Sequence, residues 1–204
     1  MSAQHASPGD PSLVEVAEGI HAWVQPDGTW WVNNTGAVSG ADGTVVIDTC
    51  ATDVRTRRFI AALTQQVPGS SLRMAVNTHQ HGDHTYGNSI LPPETVIVGH
   101  EKMREGLRVD PIIDGCPPVF APLPDWGEIT RRLPSITFAD TATLYAGERR
   151  IELAHPGLCA PHLVGDEPGL ARHHQQRPEG QEQAQSVVRR ANPAPVVAAH
   201  GCPP

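Results

Sequence analysis

Thr78-His79-Gln80-His81-Gly82-Asp83-His84 places three imidazoles and one carboxylate within six positions, close behind the apolar run Met74-Ala75-Val76. Neutral imidazole nitrogen and carboxylate oxygen are ligands for zinc and for other divalent first-row metals. Residues two apart on an extended segment point the same way, so His79 and His81 can grip one ion from the end of a strand. A turn at Gly82 would swing Asp83 and His84 towards a second ion. A His-rich surface turn is the bland alternative. Four ligand-type residues at H-x-H-x-D-H spacing, behind an apolar strand, are much more specific than isolated histidines.

The chain resembles the metallo-β-lactamase-fold hydrolases at this motif and around it. Val45-Val46-Ile47-Asp48 resembles that family's early core strand, which ends in an Asp beside the metals. Residues 52–67 resemble the helix that follows, and Leu72 to Asn77 the strand that delivers the motif. His162-Leu163-Val164-Gly165-Asp166 is similar to the H-T-x-G-D element, and Val196 to Gly201 to a terminal strand ending in G-H-G. The resemblance implies an α+β fold, an αβ/βα four-layer sandwich, incomplete in its C-terminal half. It implies His79, His81 and His162 as ligands of one ion, and Asp83, His84 and His200 as ligands of another. It implies zinc, one ion or two, with iron or manganese also compatible. Asp83 would be the catalytic residue, holding the second ion and orienting the attacking hydroxide.

Composition narrows the function classes. The 204 residues suit one domain, expected over 13–204 behind a loose tail at 1–12. A net charge of −7 argues against a nucleic-acid groove, which needs a basic footprint. The four cysteines, Cys50, Cys116, Cys159 and Cys202, form no C-x-x-C pair. That pattern suits a reducing compartment better than a disulfide framework. The N-terminus lacks a basic n-region and an apolar h-region, and no apolar stretch approaches the ~20 residues of a membrane span. The expectation is a cytoplasmic protein acting on a small-molecule substrate, with no nucleic acid or membrane partner. Its oligomeric state is open.

Strands are expected at Leu13–Val16, Ile20–Val24, Trp30–Val32 and Thr44–Ile47, with Pro26-Asp27-Gly28 as a turn. Thr52 or Asp53 can cap a helix whose apolar side carries Val54, Phe59, Ile60, Ala62, Leu63 and Val67. Pro68-Gly69 ends it. Further strands fall at 72–77, 95–98, 136–138, 143–145 and 150–153, with a helix over 101–107. Six prolines within 109–134 mark an irregular loop.

Downstream, the resemblance becomes patchy. Residues 167–186 are almost wholly polar and read as a disordered segment. They stand where the family has two strands and a Gly-Asp turn whose Asp bridges the metals, and no Gly-Asp pair follows Gly165-Asp166. The pattern reads as a deletion, a frameshift or a gene-model error rather than as a minimal variant. Asp48 is read as a partner orienting a metal-bound His, and otherwise as a helix cap. His100 and His155 fall at strand ends near the same face. His173 and His174 read as solvated, Cys159 and Cys202 as weak substitute ligands, and His21 as structural. Trp23 is expected in the core, with Trp30 or Trp31 possible over the metals.

The expected chemistry is metal-assisted hydrolysis of an ester, thioester, lactone or β-lactam by a metal-bound hydroxide. No G-x-S-x-G nucleophile motif is present. A metal-binding member without turnover, or an iron-dependent oxidoreductase of the same fold, are the alternatives.

Overall fold

The computed structural model describes residues 10–69, 71–115 and 124–155, and the backbone of a strand at 187–190. Seven strands lie side by side in chain order: β1 (Ser12–Ala17), β2 (Ile20–Val24), β3 (Thr35–Gly40), β4 (Gly43–Ile47), β5 (Leu72–Asn77), β6 (Val96–His100) and β7 (Ile136–Phe138). The pairs from β1 to β4 are antiparallel, and those from β4 to β7 are parallel. A second, antiparallel sheet holds β8 (Thr141–Ala146), β9 (Arg149–Ala154) and β10 (Val187–Arg190) in the order β10-β9-β8. The helices are α1 (Asp53–Gln66), the single turn α2 (Gly82–Thr85), continued by a 3-10 turn at Tyr86–Ile90, and α3 (Glu101–Arg108).

Side-chain alternation in the central strands explains the layering. Val46, Ala75 and Ile97 face one way and pack with Trp23, Phe59 and Leu63, the last two from α1. Val45, Val76 and Val98 face the other way and pack with Ala146, Ile151 and Leu153 of the small sheet. Strands covered on both faces read as continuous apolar runs, and Thr44-Val45-Val46-Ile47 is one. At Gly40 an added Cβ would run into the Ala146 carbonyl, so the two sheets meet there backbone to backbone. Met103 of α3 lies against Gly99, on the same strand face as Ile97, which puts α3 on the α1 side. Helices, large sheet and small sheet thus form three layers among the described residues.

Most expected elements are present. The Thr52 hydroxyl caps α1 by accepting from Arg55 N at 3.2 Å. Three local readings need correction. Trp30-Trp31-Val32 is not a strand: Trp31 has φ 68°, a left-handed value that breaks extended structure, and pairing resumes at Thr35. Val54 is 55% exposed and lies off the apolar face of α1. Ser12, expected in the tail, already belongs to β1, and neither β3 nor β10 falls on an expected strand. The segment 167–186 lies outside the described residues.

Two substitutions in α1 separate core from surface. Phe59, fully buried, should cost ~3–5 kcal/mol on replacement by Ala. Val54→Ala should stay within ~0.5 kcal/mol of the parent. Urea unfolding of the two variants measures the contrast, and equal losses would contradict this packing.

Candidate metal centre

The parallel strands β4 and β5 end side by side, with Val76 opposite Ile47. Their next residues are Asp48 on one and Thr78-His79 on the other, so the loops meet beyond the carboxyl ends of the strands. Ligand sites of open α/β sheets favour that edge. The chain bends over 78–80, is locally extended at His81 (φ −61°, ψ 147°) and enters α2 at Gly82. Gly82 lies on the Tyr86 ring with no room for a Cβ. The tight turn folds the motif on itself. The His79 ring centroid is 4.7 Å from that of His81 and 4.1 Å from that of His84. The Asp83 carboxylate reaches His84 Nε2 at 3.3 Å.

Asp48 holds this cluster from below. Its carboxylate is almost fully buried and accepts from Thr78 N at 2.7 Å, Thr78 Oγ1 at 2.7 Å and His84 Nδ1 at 2.8 Å. Its backbone is left-handed, at φ 61°, a conformation that Asp tolerates better than most residues. It does not cap α1, because Thr52 does. The one Thr78 hydroxyl proton goes to Asp48, so the 3.0 Å contact with His79 is donated by His79 Nδ1–H. That assignment leaves the His79 Nε2 lone pair free. In His84, Nδ1 is turned to the Asp48 carboxylate and Nε2 faces Asp83. An imidazole fixed through its second nitrogen is the usual arrangement of a metal ligand.

The charges are arranged to match. Burial, and then the neighbouring His84, push the His79 pKa down to about 4, so this ring is neutral at pH 7. Burial also disfavours charge on His84, but Asp48 and Asp83 outweigh it and raise the pKa to about 10. Burial alone would raise Asp83; the hydrogen bond from His84 and the nearby imidazoles reverse this and hold its pKa below the usual carboxylate value. Without a metal, the Asp48–His84–Asp83 row is a proton-bridged ion pair. Burial pushes the Cys50 thiol up to about 12, which makes it inert as a nucleophile.

Among the described residues, no three His, Cys, Asp or Glu side chains stand ready around a single point. His84 and Asp83 contact each other instead. Their separation still suits a shared ion. Tetrahedral bonds of ~2.0–2.1 Å place ligand atoms about 3.3–3.4 Å apart, and His84 Nε2 and Asp83 Oδ2 are 3.3 Å apart. By chemical type, imidazole nitrogens with a carboxylate, the donor set fits a divalent ion, and this one separation is compatible with it. His162 and His200, the other expected ligands, lie outside the described residues, as do His173, His174, Cys159 and Cys202.

His100 and His155 do lie together, with ring centroids 4.1 Å apart and planes tilted by 43°. His100 already uses both nitrogens, Nε2 on the Ala139 carbonyl at 2.6 Å and Nδ1 on Lys102 N–H at 3.1 Å, so its ring has no nitrogen to spare for a metal. Trp23 is buried in the core. Trp31 packs against Tyr86 and Trp126, while Trp30 is 64% exposed. A cleft of about 580 Å³ runs between Trp30, Trp31, Thr52, Arg55 and Pro124. It lies at the same end of the sheet as the motif, since Gly36 of β3 pairs with Ile47 of β4. The motif and Asp48 were legible in the sequence; Thr78, Asn77 and Asn88, which brace them, were not singled out.

This arrangement is an α+β layered fold with its His/Asp motif loop beyond the carboxyl ends of two parallel strands. Residues 28–165 match the family model of the metallo-beta-lactamase superfamily, and the chain belongs to that superfamily. A metallo-beta-lactamase from Pontibacter korlensis aligns at a TM-score of 0.55 and 16% identity, covering 72% of this chain and 61% of that one. The stereoselective inverting sec-alkylsulfatase Pisa1 from Pseudomonas sp. aligns at 0.54 and 16%, covering 71% of this chain and 27% of that one. The chain thus spans less than two thirds of the length of either. A comparison with curated proteins finds no match.

The pKa shifts set the pH response of the metal-free protein. His84 is raised, so its stabilisation is complete below ~6.5 and is lost as pH rises through about 10. His79 is lowered, so its contribution is complete above ~6.5 and is lost as pH falls towards about 4. Urea unfolding of chelator-treated protein should show both limbs, and Asp48→Asn should flatten the alkaline one. An unchanged alkaline limb in that variant would disprove the Asp48–His84 pairing.

Proposed function

We propose that the protein is a metal-dependent hydrolase, with zinc the first choice of ion, acting on an ester, thioester, lactone or β-lactam. The observation that carries this is the convergence of the His79, His81 and His84 rings, with Asp83 beside them and Asp48 beneath. His79 and His81, with His162, would hold one ion; Asp83 and His84, with His200, would hold a second. A bound divalent ion would supply Lewis-acid polarisation of a carbonyl oxygen and acidify a water. The chain's own residues do the rest. His79 offers a neutral nitrogen whose tautomer Thr78 fixes. Asp48 keeps His84 oriented by accepting its Nδ1–H, which leaves Nε2 as the nitrogen for an ion. Asp83 remains an ionised carboxylate, and 26% of its side chain is open to solvent, so it can hold and orient a water.

The cleft beside Trp30 and Trp31 is of the size that small-molecule sites have, ~300–1,000 Å³. Its volume of about 580 Å³ supports a small-molecule substrate. The net charge of −7 speaks against a nucleic-acid one. Among the described residues no helix is long and apolar enough to cross a membrane. The four cysteines, with no C-x-x-C pair in the sequence, suit a reducing compartment, and a cytoplasmic location is part of the proposal.

Zinc titration followed by assays on chromogenic lactone, thioester, ester and β-lactam substrates tests this reading. Zinc should bind, and one substrate class should turn over. Asp83→Ala should lower kcat/KM by at least ~10²-fold with little change in folding. Turnover undiminished in Asp83→Ala would contradict the role given to that carboxylate. Zinc bound without any turnover would favour a metal-binding member, and iron with oxygen consumption the oxidoreductase alternative.

A further inference from the structure

His84 is held twice, once by its ring and once by its main chain. The ring is turned to Asp48. The carbonyl oxygen accepts from Thr49 N at 2.9 Å, Thr49 Oγ1 at 3.1 Å and Asn77 Nδ2 at 3.1 Å. Consecutive residues, Asp48 and Thr49, thus fix the two ends of one ligand. Asn77 is itself held by Asn88 in a reciprocal amide pair, with Nδ2–Oδ1 distances of 3.1 and 2.8 Å. Both amides are completely buried. Asn88 Nδ2 also reaches the Arg132 carbonyl at 3.3 Å. The Arg132 guanidinium in turn ties down the carbonyls of Asn88, Leu91, Pro92, Pro93 and Thr95.

Burying two primary amides is costly unless every polar atom is bonded, and an apolar pair of similar size would fill the space without that requirement. A fully bonded network instead selects one geometry. Here the selected feature is the main chain of α2, which carries Asp83 and His84. A rotation of that turn would move Nε2 of His84 and the Asp83 carboxylate together. We propose that Asn77 and Asn88 are positioning residues for the metal centre: they hold the His84 carbonyl so that the adjacent Asp83–His84 pair presents its two ligand atoms at the spacing one ion needs. This inference rests on the metal-binding reading above.

Four proteins test it: the parent, Asn77→Asp, Thr49→Val and Arg132→Ala. Asn77→Asp removes the donor to the His84 carbonyl while keeping the side-chain shape. Thr49→Val removes one of the other donors. Arg132→Ala loosens the loop at 88–95 but leaves every bond to the His84 carbonyl in place. Zinc affinity and the visible absorption spectrum of the cobalt(II) form are read alongside thermal stability. Asn77→Asp should lose ~10–100-fold in zinc affinity and shift its cobalt bands. Thr49→Val should show the same effects to a smaller degree. Arg132→Ala should lose stability but keep the parent's affinity and spectrum.

Parent-like affinity and spectrum in both Asn77→Asp and Thr49→Val would overturn the proposal. So would an affinity loss in Arg132→Ala equal to that in Asn77→Asp, which would mark general destabilisation. Should Asn77→Asp not fold, Thr49→Val decides by the same criterion. Failure of the parent itself to bind zinc would instead refute the metal reading, and this inference with it.

Discussion

The buried Asp48 carboxylate is the side-chain anchor between the loops that leave the ends of β4 and β5, beside the main-chain bonds of Asp48 N to Val76 and Thr49 N to His84. It bonds the main chain and hydroxyl of Thr78 after β5, and the ring of His84 in α2. Its left-handed backbone turns the chain out of β4 so that the carboxylate faces its neighbour's loop. Such conformations cost of order 1–3 kcal/mol and persist where the surroundings over-determine them. Removing Asp48 would leave a buried hydroxyl, a buried N–H and a buried imidazole without their acceptor. The rest of the site depends on that one anchor: the tautomer of His79, the charge of His84 and, through His84, the placement of Asp83.

The large sheet supplies the rigidity that this anchor needs. Strands β4, β5 and β6 are packed on both faces, by α1 on one side and the small sheet on the other. Loops leaving the ends of such strands start from fixed points. The turn after the motif is packed just as closely, since a Cβ at Gly87 would collide with Thr56 of α1 and the Cys50 carbonyl. Site and core are therefore mechanically continuous, from Phe59 and Thr56 in the helix to Gly87 and His84 in the loop.

Much of this was legible in the chain. The run Thr44-Val45-Val46-Ile47 has no polar alternation, which is what a strand buried on both faces looks like. Thr52 followed by the Phe59 and Leu63 spacing marked the helix and its start. The motif histidines were legible by type and spacing. What was not legible came from tertiary geometry. Trp31 has an ordinary strand-forming side chain, yet its packing against Tyr86 and Trp126 accompanies a left-handed backbone. Val54 sits at helical spacing from Phe59's face only loosely, and the fold leaves it in solvent. Asn77 and Asn88 are eleven positions apart, and only Asn77 falls in an expected element, at the end of the 72–77 strand. Nothing local says that their amides meet.

X-ray absorption at the zinc edge of the zinc-loaded protein tests the central claim most directly, because it reads ligand type without depending on turnover. The account predicts nitrogen and oxygen neighbours at ~2.0–2.1 Å, with the multiple-scattering pattern of imidazole, and no sulfur. It also predicts that this imidazole signal diminishes in His79→Ala. A shell of sulfur at ~2.3 Å, or an unchanged spectrum after removal of His79, would place any bound metal away from the motif loop and contradict the account.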